Sequence, residues 1–434
     1  MARHFLQNGD KKIGPKLLGL VAVGAGVAAA AAGVLVGQTG TRHVAQPARR
    51  HRPAWETTPG VPATFLQQSY RPGEVAKLVL WRAEPAFSVR IYRVDGGGHW
   101  SRTTMSGTPV SRVWRFGARA GHEPVALRLG DWPSGVYFAQ LRAGGLTGFA
   151  TFVLRPRRLG ATRVLVVEPT FTWQAYNFRD DNDDGRGDTW YDSSAVRTVR
   201  LDRPFLARGV PPHFTTYDLP FLRWLAGTGR HADFVSDEDL DTAAALEALP
   251  RYRLVVFPGH EEYVTARMYD AVARFRDGGG HLMFLSADNF YWRVVRHGSR
   301  ITRTQPWRDL GRPEASLVGV GLYRNNRGGT QGPWRVATTA RVPWLFAGTG
   351  LHTGSRFGSG GIEIDHVAPS SPPGTIVVAR IPNLMGPGGT ADMTYYSTPA
   401  GAEVFAAGAF TLAGAGDAAS WRVVANLWNH LSSG

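Results

Sequence analysis

The sequence predicts an α/β fold: a doubly wound, mostly parallel sheet, preceded by an all-β sandwich and an N-terminal transmembrane helix. Three observations support this prediction. A βαβ pattern fills the middle of the chain, short β-rich runs separated by turn residues precede it, and an uncharged apolar stretch lies near the N-terminus. With 434 residues the chain is long enough for two or three domains and a large core.

The βαβ pattern spans residues 252–292. Residues 254–257 and 281–285 are apolar runs typical of strands that are buried on both faces. Between them, Met268, Val272 and Phe275 fall on one side of a helix, which a run of three glycines then ends.

Each of these two strands is followed by a polar cluster, at residues 260–263 and at residues 288–292. Because the carboxyl ends of parallel strands meet at one edge of a sheet, both clusters are expected at the same edge. Open parallel sheets bind their ligands there. The sequence therefore predicts a ligand site between these clusters.

Strands and helices alternate on both sides of this unit, which predicts one α/β domain over residues 160–434. Asp237 stands where a helix cap is expected. Further elements are expected as strands at 164–167, 232–235 and 317–322 and as helices at 237–249 and 421–431.

The preceding region, residues 63–156, has a different rhythm. Short β-rich runs recur there, separated by turn residues at 71–73, 96–98 and 133–135. This spacing predicts a β-sandwich of about a hundred residues, with a spacer or docking role.

The N-terminal stretch at residues 17–36 has twenty residues without a charge and follows three lysines, which predicts a single transmembrane helix. We expect a cell-membrane anchor with the bulk of the protein extracytoplasmic; the alternative is a cleaved signal and a secreted protein. The flanking segments are a basic tail at residues 1–16 and a Pro/Arg-rich linker at residues 37–62.

Composition excludes several classes of function. The net charge is +15, but much of it lies before residue 56 and the remaining arginines are scattered, so no nucleic-acid partner is expected. With no cysteine, disulfides, thiolate metal sites and a thiol nucleophile are impossible. No P-loop, dinucleotide fingerprint, Gly-x-Ser-x-Gly or His-Glu-x-x-His motif is present.

The polar clusters supply the candidate site residues. Imidazole, carboxylate and amide groups at strand ends suit acid–base chemistry, and aromatic side chains after the first strand of the domain suit a flat ligand such as a sugar. The alternative for all of them is packing or helix capping. The candidates are His260, Glu262 and Asn289 for catalysis, and Trp173, Gln174 and Tyr176 for substrate binding.

Residues 180–192 have the spacing of a calcium-binding loop. Asp180, Asn182, Asp184 and Asp188 occupy positions 1, 3, 5 and 9 around Gly185, although a tyrosine stands at position 12, where the pattern has glutamate. We expect calcium here, with a solvated acidic loop as the alternative.

Nine short motifs occur in an order that resembles the C-terminal domain of the N,N-dimethylformamidase large (beta) subunit. The resemblance covers roughly residues 160–434 and implies a class I glutamine amidotransferase-like fold. The clearest matches are TWQAYN, LDRPF, SDEDL, GHEEY, DNFYW, LVGVG and NLWNHL.

The resemblance also implies a chemistry, in which one iron held by two tyrosines and a glutamate assists amide hydrolysis. Tyr263 matches one tyrosine. The second position has Phe221, with Tyr217 nearby, and the stretch that carries the glutamate has no carboxylate here (residues 302–307). Glu363 is the acidic substitute, so the expected iron site is incomplete.

Two functions follow from the sequence. The first is a membrane-anchored, extracytoplasmic, metal-assisted hydrolase of a carbon–nitrogen (amide) bond in a small molecule. The alternative is a non-catalytic surface protein that binds an envelope glycan or a protein partner in the same crevice. The sequence gives no oligomeric state.

Overall fold

Strands, rather than helices, dominate the structure. The computed structural model describes residues 53–54, 56–325, 329–414 and 416–433. Strands account for 34% of the described residues and helices for 19%. Three of the four sheets in this part of the chain combine parallel and antiparallel pairs. The expectation of a doubly wound, mostly parallel α/β fold is therefore wrong.

Two sheets of three and six strands occupy the region before residue 155 and enclose one hydrophobic core. Their strands are β1 (Ala63–Phe65), β2 (Ser69–Tyr70), β3 (Val75–Leu80), β4 (Phe87–Arg93), β5 (Thr108–Pro109), β6 (Trp114–Phe116), β7 (Pro124–Arg128), β8 (Gly135–Ala143) and β9 (Leu146–Leu154). The division of the chain into domains stays a prediction.

The remaining strands form one sheet of eleven strands and a small sheet of four. They are β10 (Val164–Glu168), β11 (Thr198–Arg200), β12 (Asp233–Ser236), β13 (Leu254–Phe257), β14 (Tyr263–Val264), β15 (His281–Phe284), β16 (Trp292–His297), β17 (Arg300–Pro306), β18 (Gly321–Asn325), β19 (Gln331–Val336), β20 (Arg356–His366), β21 (Ile376–Ile381), β22 (Ala391–Ser397), β23 (Glu403–Ala406) and β24 (Ala409–Phe410).

The helices are mostly short. They are α1 (Thr170–Ala175), α2 (Leu206–Gly209), α3 (Phe214–Tyr217), α4 (Leu219–Gly227), α5 (Asp237–Leu240), α6 (Ala243–Ala248), α7 (Ala266–Asp277), α8 (Ala315–Val318) and α9 (Ala418–Ser432). The described residues also contain two 3-10 turns, at Leu249–Arg251 and Trp307–Leu310.

The large sheet changes character halfway across. Its order is β12-β10-β13-β15-β23-β22-β21-β19-β20-β18, with β24 paired to β20. The first five strands are parallel and the others antiparallel. A parallel pair needs a long crossover, usually a helix. The connections at residues 337–355 and 382–390 contain no helix, so the strands that they join return antiparallel.

The parallel half has a hydrophobic layer on each face. Alternate residues of β13 point to opposite faces, with Leu254 and Val256 in one core and Val255 and Phe257 in the other. Helix α7 covers one face and α9 covers the other. Strand β13 is thus buried on both sides, which fixes the position of the polar residues that follow it.

Two local expectations also need correction. The stretch 317–322 is not one strand: α8 ends in Val318, and Gly319 turns the chain with a φ of 98° before β18 begins. The helix expected at 237–249 divides into α5 and α6, because Thr242 caps a new helix there. Ser236, not Asp237, is the cap of α5, and the carboxylate of Asp237 turns inward instead.

The expected transmembrane stretch at residues 17–36 and the tail and most of the linker around it lie outside the described residues. Within the part of the chain that is described, no helix combines the length and the apolar character that crossing a membrane requires.

Candidate functional site

Three segments of the large sheet meet at one buried polar centre. One follows β13 and carries His260 and Glu262, and the second follows β15 and carries Asp288. The third is β20, which carries Glu363 from the antiparallel half. The centre therefore combines the carboxyl ends of two parallel strands with a side chain from a strand on the other half of the sheet.

The imidazole of His260 lies in the middle of three carboxyl groups. Its Nε2 atom is 3.4 Å from Glu262 Oε2, 3.5 Å from Glu363 Oε2 and 3.9 Å from Asp288 Oδ2. All four residues are at most 6% exposed. We call His260, Glu262, Asp288 and Glu363 the central cluster.

Three phenol groups surround Glu262 on its other side. The Tyr191 hydroxyl lies 3.0 Å from the Tyr176 hydroxyl and 3.1 and 3.3 Å from the two carboxylate oxygens of Glu262. It also forms a short hydrogen bond with the hydroxyl of Tyr263. Glu262 is therefore held between the imidazole of His260 and these phenols.

Burial controls the ionisation of these groups. It raises the pKa of Glu262 to about 7, even though hydrogen bonds from the phenols act in the opposite direction. Burial, followed by repulsion from Glu262, raises the pKa of Asp288 and of Glu363 well above the ordinary range. Burial lowers the pKa of His260 to about 3, so its imidazole is neutral at pH 7.

Neighbouring groups hold the carboxyl groups in place. The backbone N–H of Asp288 donates to both carboxylate oxygens of Asp365, at 3.0 and 3.2 Å. The amide of Asn325 donates to Glu363 through a short hydrogen bond. These contacts fix the orientation of the carboxyl groups around His260.

Aromatic rings enclose the imidazole. The ring centroids of Phe410, Tyr176 and Tyr217 lie 4.7, 5.4 and 6.4 Å from that of His260. The imidazole is therefore buried in apolar surroundings, where electrostatic interactions are stronger than in solvent.

The structure brings together some of the residues selected from the sequence. His260, Glu262 and Tyr176 meet in the site. Asn289 does not join them, because its side chain donates to the backbone oxygen of Ser286 and accepts from the Ser286 hydroxyl. The reason lies in the turn, where Asp288 has a φ of 53° and presents its own carboxyl group to His260.

Trp173 and Gln174 also point away from the central cluster. Trp173 is buried and packs against Phe205 and Phe214. Gln174 donates to the backbone oxygen of Arg203 and accepts from the Arg203 guanidinium. Their contacts are those of packing and of holding a loop.

The expected iron ligands Tyr263 and Glu363 lie in different parts of the site. The hydroxyl of Tyr263 is bonded to Tyr191, whereas Glu363 faces His260. Among the described residues, the group of histidine and acidic side chains with metal-binding geometry is His260, Asp288 and Glu363. Donor atoms of the implied kind, phenols and a glutamate, do converge in the structure, but around Glu262, where the Tyr191 hydroxyl meets those of Tyr176 and Tyr263, rather than at Glu363.

The loop at residues 180–192 is folded around its own acidic side chains. Asp180 accepts from the backbone N–H groups of Asp184 and Gly185, at 3.2 and 2.8 Å, and Asn182 accepts from that of Asp184 at 3.0 Å. The carboxylate of Asp188 accepts from the backbone of Asp181. Calcium binding at Asp180, Asn182, Asp184 and Asp188 stays a prediction.

Sequence reasoning missed two members of the site, Asp288 and Tyr191. Asp288 is the first residue of the polar cluster after β15, but the sequence alone favours its neighbour Asn289. Tyr191 stands at the end of the acidic loop, and no local pattern indicates that this loop returns to Glu262, 71 positions away.

A second group of carboxyl groups is buried beside the site. Glu168, Asp218, Asp237 and Glu261 are at most 1% exposed, and we call them the acidic cluster. Within the described residues, neither carboxyl oxygen of Glu168 has a hydrogen-bond partner. Burial raises the pKa of Asp218 to about 8 and that of Asp237 to about 7.

Comparisons with known proteins match the part of the chain that carries this site to a protein family. A family model described as N,N-dimethylformamidase beta subunit-like, C-terminal, matches residues 123–418. Proteins named N,N-dimethylformamidase beta subunit from Alcaligenes sp and Paracoccus aminophilus are each 26% identical, over 255 and 268 residues. The matches cover 44% and 52% of this chain but only 32% and 34% of those relatives.

The chain thus spans about a third of the length of the curated relatives that it matches. Among solved structures, a Paenibacillus sp. cycloisomaltooligosaccharide glucanotransferase with bound cycloisomaltoheptaose has a TM-score of 0.18 and 10% identity, covering 81% of this chain and 69% of that one. A likeness at that level carries no argument about fold or function.

Proposed function

Because this chain belongs to the N,N-dimethylformamidase beta subunit-like C-terminal family, we propose that it hydrolyses a carbon–nitrogen bond in a small amide. The observation that carries the proposal is the central cluster, in which an imidazole and three carboxyl groups converge inside the protein. This cluster lies within the part of the chain that the family model matches. The names of the two relatives make N,N-dimethylformamide the first amide to test.

Amide hydrolysis needs a group that takes a proton from water and returns one to the departing nitrogen. Such a group works best when its pKa lies near the working pH. Glu262 meets this requirement, since burial raises its pKa to about 7. In the proposed reaction water adds to the carbonyl carbon, the C–N bond breaks, and Glu262 passes the proton to nitrogen, giving a carboxylic acid and an amine.

The neighbours of Glu262 support this role. The phenols of Tyr176, Tyr191 and Tyr263 hold one side of its carboxyl group. The neutral imidazole of His260 stands on the other side, 3.4 Å away. His260 is buried among aromatic rings, and electrostatic interactions are stronger in such a setting than in solvent.

The test is hydrolysis by the full-length protein, expressed with iron, manganese or zinc in the medium. We expect release of dimethylamine and formate from N,N-dimethylformamide, or of an amine from a related small amide. Glu262→Gln keeps the shape but cannot carry the proton, so kcat should fall by roughly 100-fold or more. Glu74→Gln, an exposed carboxylate that pairs with Arg71, is the matched control and should leave kcat unchanged.

If no amide in a broad panel is cleaved by the metal-loaded protein, the hydrolase proposal is wrong. The alternative from the sequence, a surface protein that binds a glycan or a protein partner, would then remain. Anchoring at a membrane through residues 17–36 also stays a prediction.

A further inference from the structure

An arginine side chain lies beside the phenol groups that hold Glu262. The guanidinium carbon of Arg303 is 4.5 Å from the ring centroid of Trp292 and 5.3 Å from that of Trp190. It is 6.0 Å from the ring centroid of Tyr191, whose hydroxyl lies 3.1 Å from a carboxylate oxygen of Glu262. Arg303 therefore lies against the same tyrosine that contacts Glu262.

The small sheet fixes this arrangement. Arg303 lies on β17 opposite Val294 of β16, and Trp292 is the first residue of β16. The backbone N–H of Trp292 donates to the backbone oxygen of Glu262 at 2.9 Å. Because these are backbone contacts, the position of the arginine relative to Glu262 is set by the fold and needs no bound molecule.

The guanidinium of Arg303 uses its charge here but not its hydrogen-bond donors. In the described part of the chain, no carboxylate pairs with it and no oxygen accepts from its side chain; its contacts are with aromatic rings. Arg296 on the adjacent strand, by contrast, pairs with Asp241 at 2.7 Å. Arg303 is partly exposed, so a molecule from solvent can reach its planar fork of N–H groups, which matches a carboxylate.

The positive charge of Arg303 also acts on the site. Burial raises the pKa of Glu262 and of Tyr263, and the charge of Arg303 opposes this increase in both. Electrostatic interactions weaken with distance, so this charge is close enough to act on a molecule that lies beside Glu262. An anionic group on that molecule would be favoured.

We propose that Arg303 determines specificity by binding a carboxylate that the substrate amide carries. The inference rests on the proposed function and adds the substrate class, which is a small amide with a carboxylate, such as an N-formyl amino acid. Because Arg303 and Glu262 both contact Tyr191, the carboxylate and the C–N bond must be only a few bonds apart. Trp190 and Trp292 hold the guanidinium in place through cation–π contacts.

The experiment compares two substrates that differ mainly in charge. N-formylglycine carries a carboxylate, and N-formylglycinamide carries a neutral group of nearly the same size in its place. Release of formate by the full-length protein measures cleavage of the formyl C–N bond in both. We expect kcat/KM to be roughly 10- to 100-fold higher for N-formylglycine, the range that a charge-assisted hydrogen bond provides.

Variants of one strand make the result specific. Arg303→Met removes the charge and keeps apolar contact with the aromatic rings, so the preference should disappear. Arg303→Lys keeps the charge without the planar fork and should retain only part of the preference. Arg300→Met is the matched control, because Arg300 is the exposed first residue of the same strand, and it should leave the preference unchanged.

The readout is the ratio of the two kcat/KM values within each variant. Loss of the charge at Arg303 also raises the pKa of Glu262, which changes both rates together and leaves their ratio unaffected. Far-UV circular dichroism confirms that each variant is folded, and Arg303→Gln takes the place of Arg303→Met if the latter does not fold.

Binding is measured separately from turnover. Isothermal titration calorimetry uses 4-oxopentanoate, which has the carboxylate and a carbonyl group but no C–N bond to break. Arg303→Met should weaken its binding by at least about tenfold, whereas Arg300→Met should not change it.

Equal cleavage of the two formyl substrates, or a preference that survives in Arg303→Met, overturns the inference and leaves the proposed function standing. If no amide is cleaved but Arg303→Met weakens the binding of 4-oxopentanoate, the proposed function fails and the carboxylate site is retained. If no amide is cleaved and this binding is absent or unchanged in the variant, both proposals fail.

Discussion

Replacing Asp237 by asparagine should make the protein less sensitive to alkaline pH. Asp237 is fully buried in the acidic cluster, and burial raises its pKa to about 7. Its Oδ2 atom accepts the backbone N–H of Phe171 at 2.6 Å, an interaction that an asparagine oxygen preserves. The substitution therefore removes the titration and keeps this acceptor.

The sign follows from proton linkage. The unfolded aspartate releases its proton near pH 4, whereas the folded one keeps it until about pH 7. The folded state therefore binds more protons between these values, and the free energy of unfolding falls as the pH rises. The stability contributed by the protonated group is fully present below pH 4 and is lost by about pH 7.

The magnitude comes from the same difference. Each pH unit in this window changes stability by about 1.4 kcal/mol per proton. Between pH 5 and pH 8 the wild type passes through about two pH units of this window. The free energy of unfolding of Asp237→Asn should therefore rise by roughly 3 kcal/mol relative to that of the wild type over this range. Glu168, Asp218 and Glu261 share the cluster and still titrate, so the variant keeps part of the wild-type slope.

The assay is urea unfolding at pH 5, 6, 7 and 8, followed by tryptophan fluorescence. Asp233→Asn is the matched control, because the carboxylate of Asp233 is also buried but accepts from the backbone of Ala161 and the hydroxyl of Tyr252. The difference in the free energy of unfolding between this variant and the wild type should not increase with pH. If Asp237→Asn instead loses stability toward pH 8, the cluster is ionised and neutralised by a cation, and the reasoning fails.

Two other predictions concern the loop that carries Tyr191. Arg203→Met should destabilise the protein by about 3–5 kcal/mol in urea unfolding, because the buried guanidinium donates to the backbone oxygens of Gln174, Asn177 and Arg179. The partly exposed pair of Arg200 with Asp202 provides the control: Arg200→Met should change stability by less than about 1 kcal/mol. Calcium at 100 times its Kd should stabilise the wild type by about 2.7 kcal/mol and Asp180→Ala by much less. An unchanged Tm of the wild type in millimolar calcium would refute the calcium loop.

The sequence predicted the elements whose pattern is local. Strand β13 begins and ends where the apolar run does, and α7 follows the spacing of Met268, Val272 and Phe275. The rule for carboxyl ends of parallel strands then located His260 and Glu262. These inferences succeeded because they need only neighbouring residues.

The antiparallel half of the sheet could not be predicted in the same way. Hairpins and long loops connect strands β20 and β22 to the antiparallel strands that pair with them. A short apolar run in the sequence does not reveal the direction of the neighbouring strand. Glu363 came from the family resemblance alone, and its approach to His260 depends on this long-range pairing. The choice between Asp288 and Asn289 depended on a left-handed turn that a sequence pattern does not specify.

Backbone strain links the site to the fold around it. His213, Asp288, Ile362 and Thr411 all have positive φ values, between 53° and 73°, although none is glycine. Such conformations cost about 1–3 kcal/mol each, and the branched side chain of Ile362 makes its conformation especially rare. Asp288 and the neighbours of Ile362 and Thr411, which are Glu363 and Phe410, contact His260.

The residues with strained backbone therefore lie where the chain brings side chains into contact with the imidazole of His260. It persists because the surrounding core fixes the backbone, with Phe290, Ile364 and Phe410 at most 1% exposed. A fold selected only for stability would relax these turns and pair the buried carboxyl groups. That this one keeps both strained turns and buried carboxyl groups with raised pKa values beside the same imidazole is the physical argument for chemistry there.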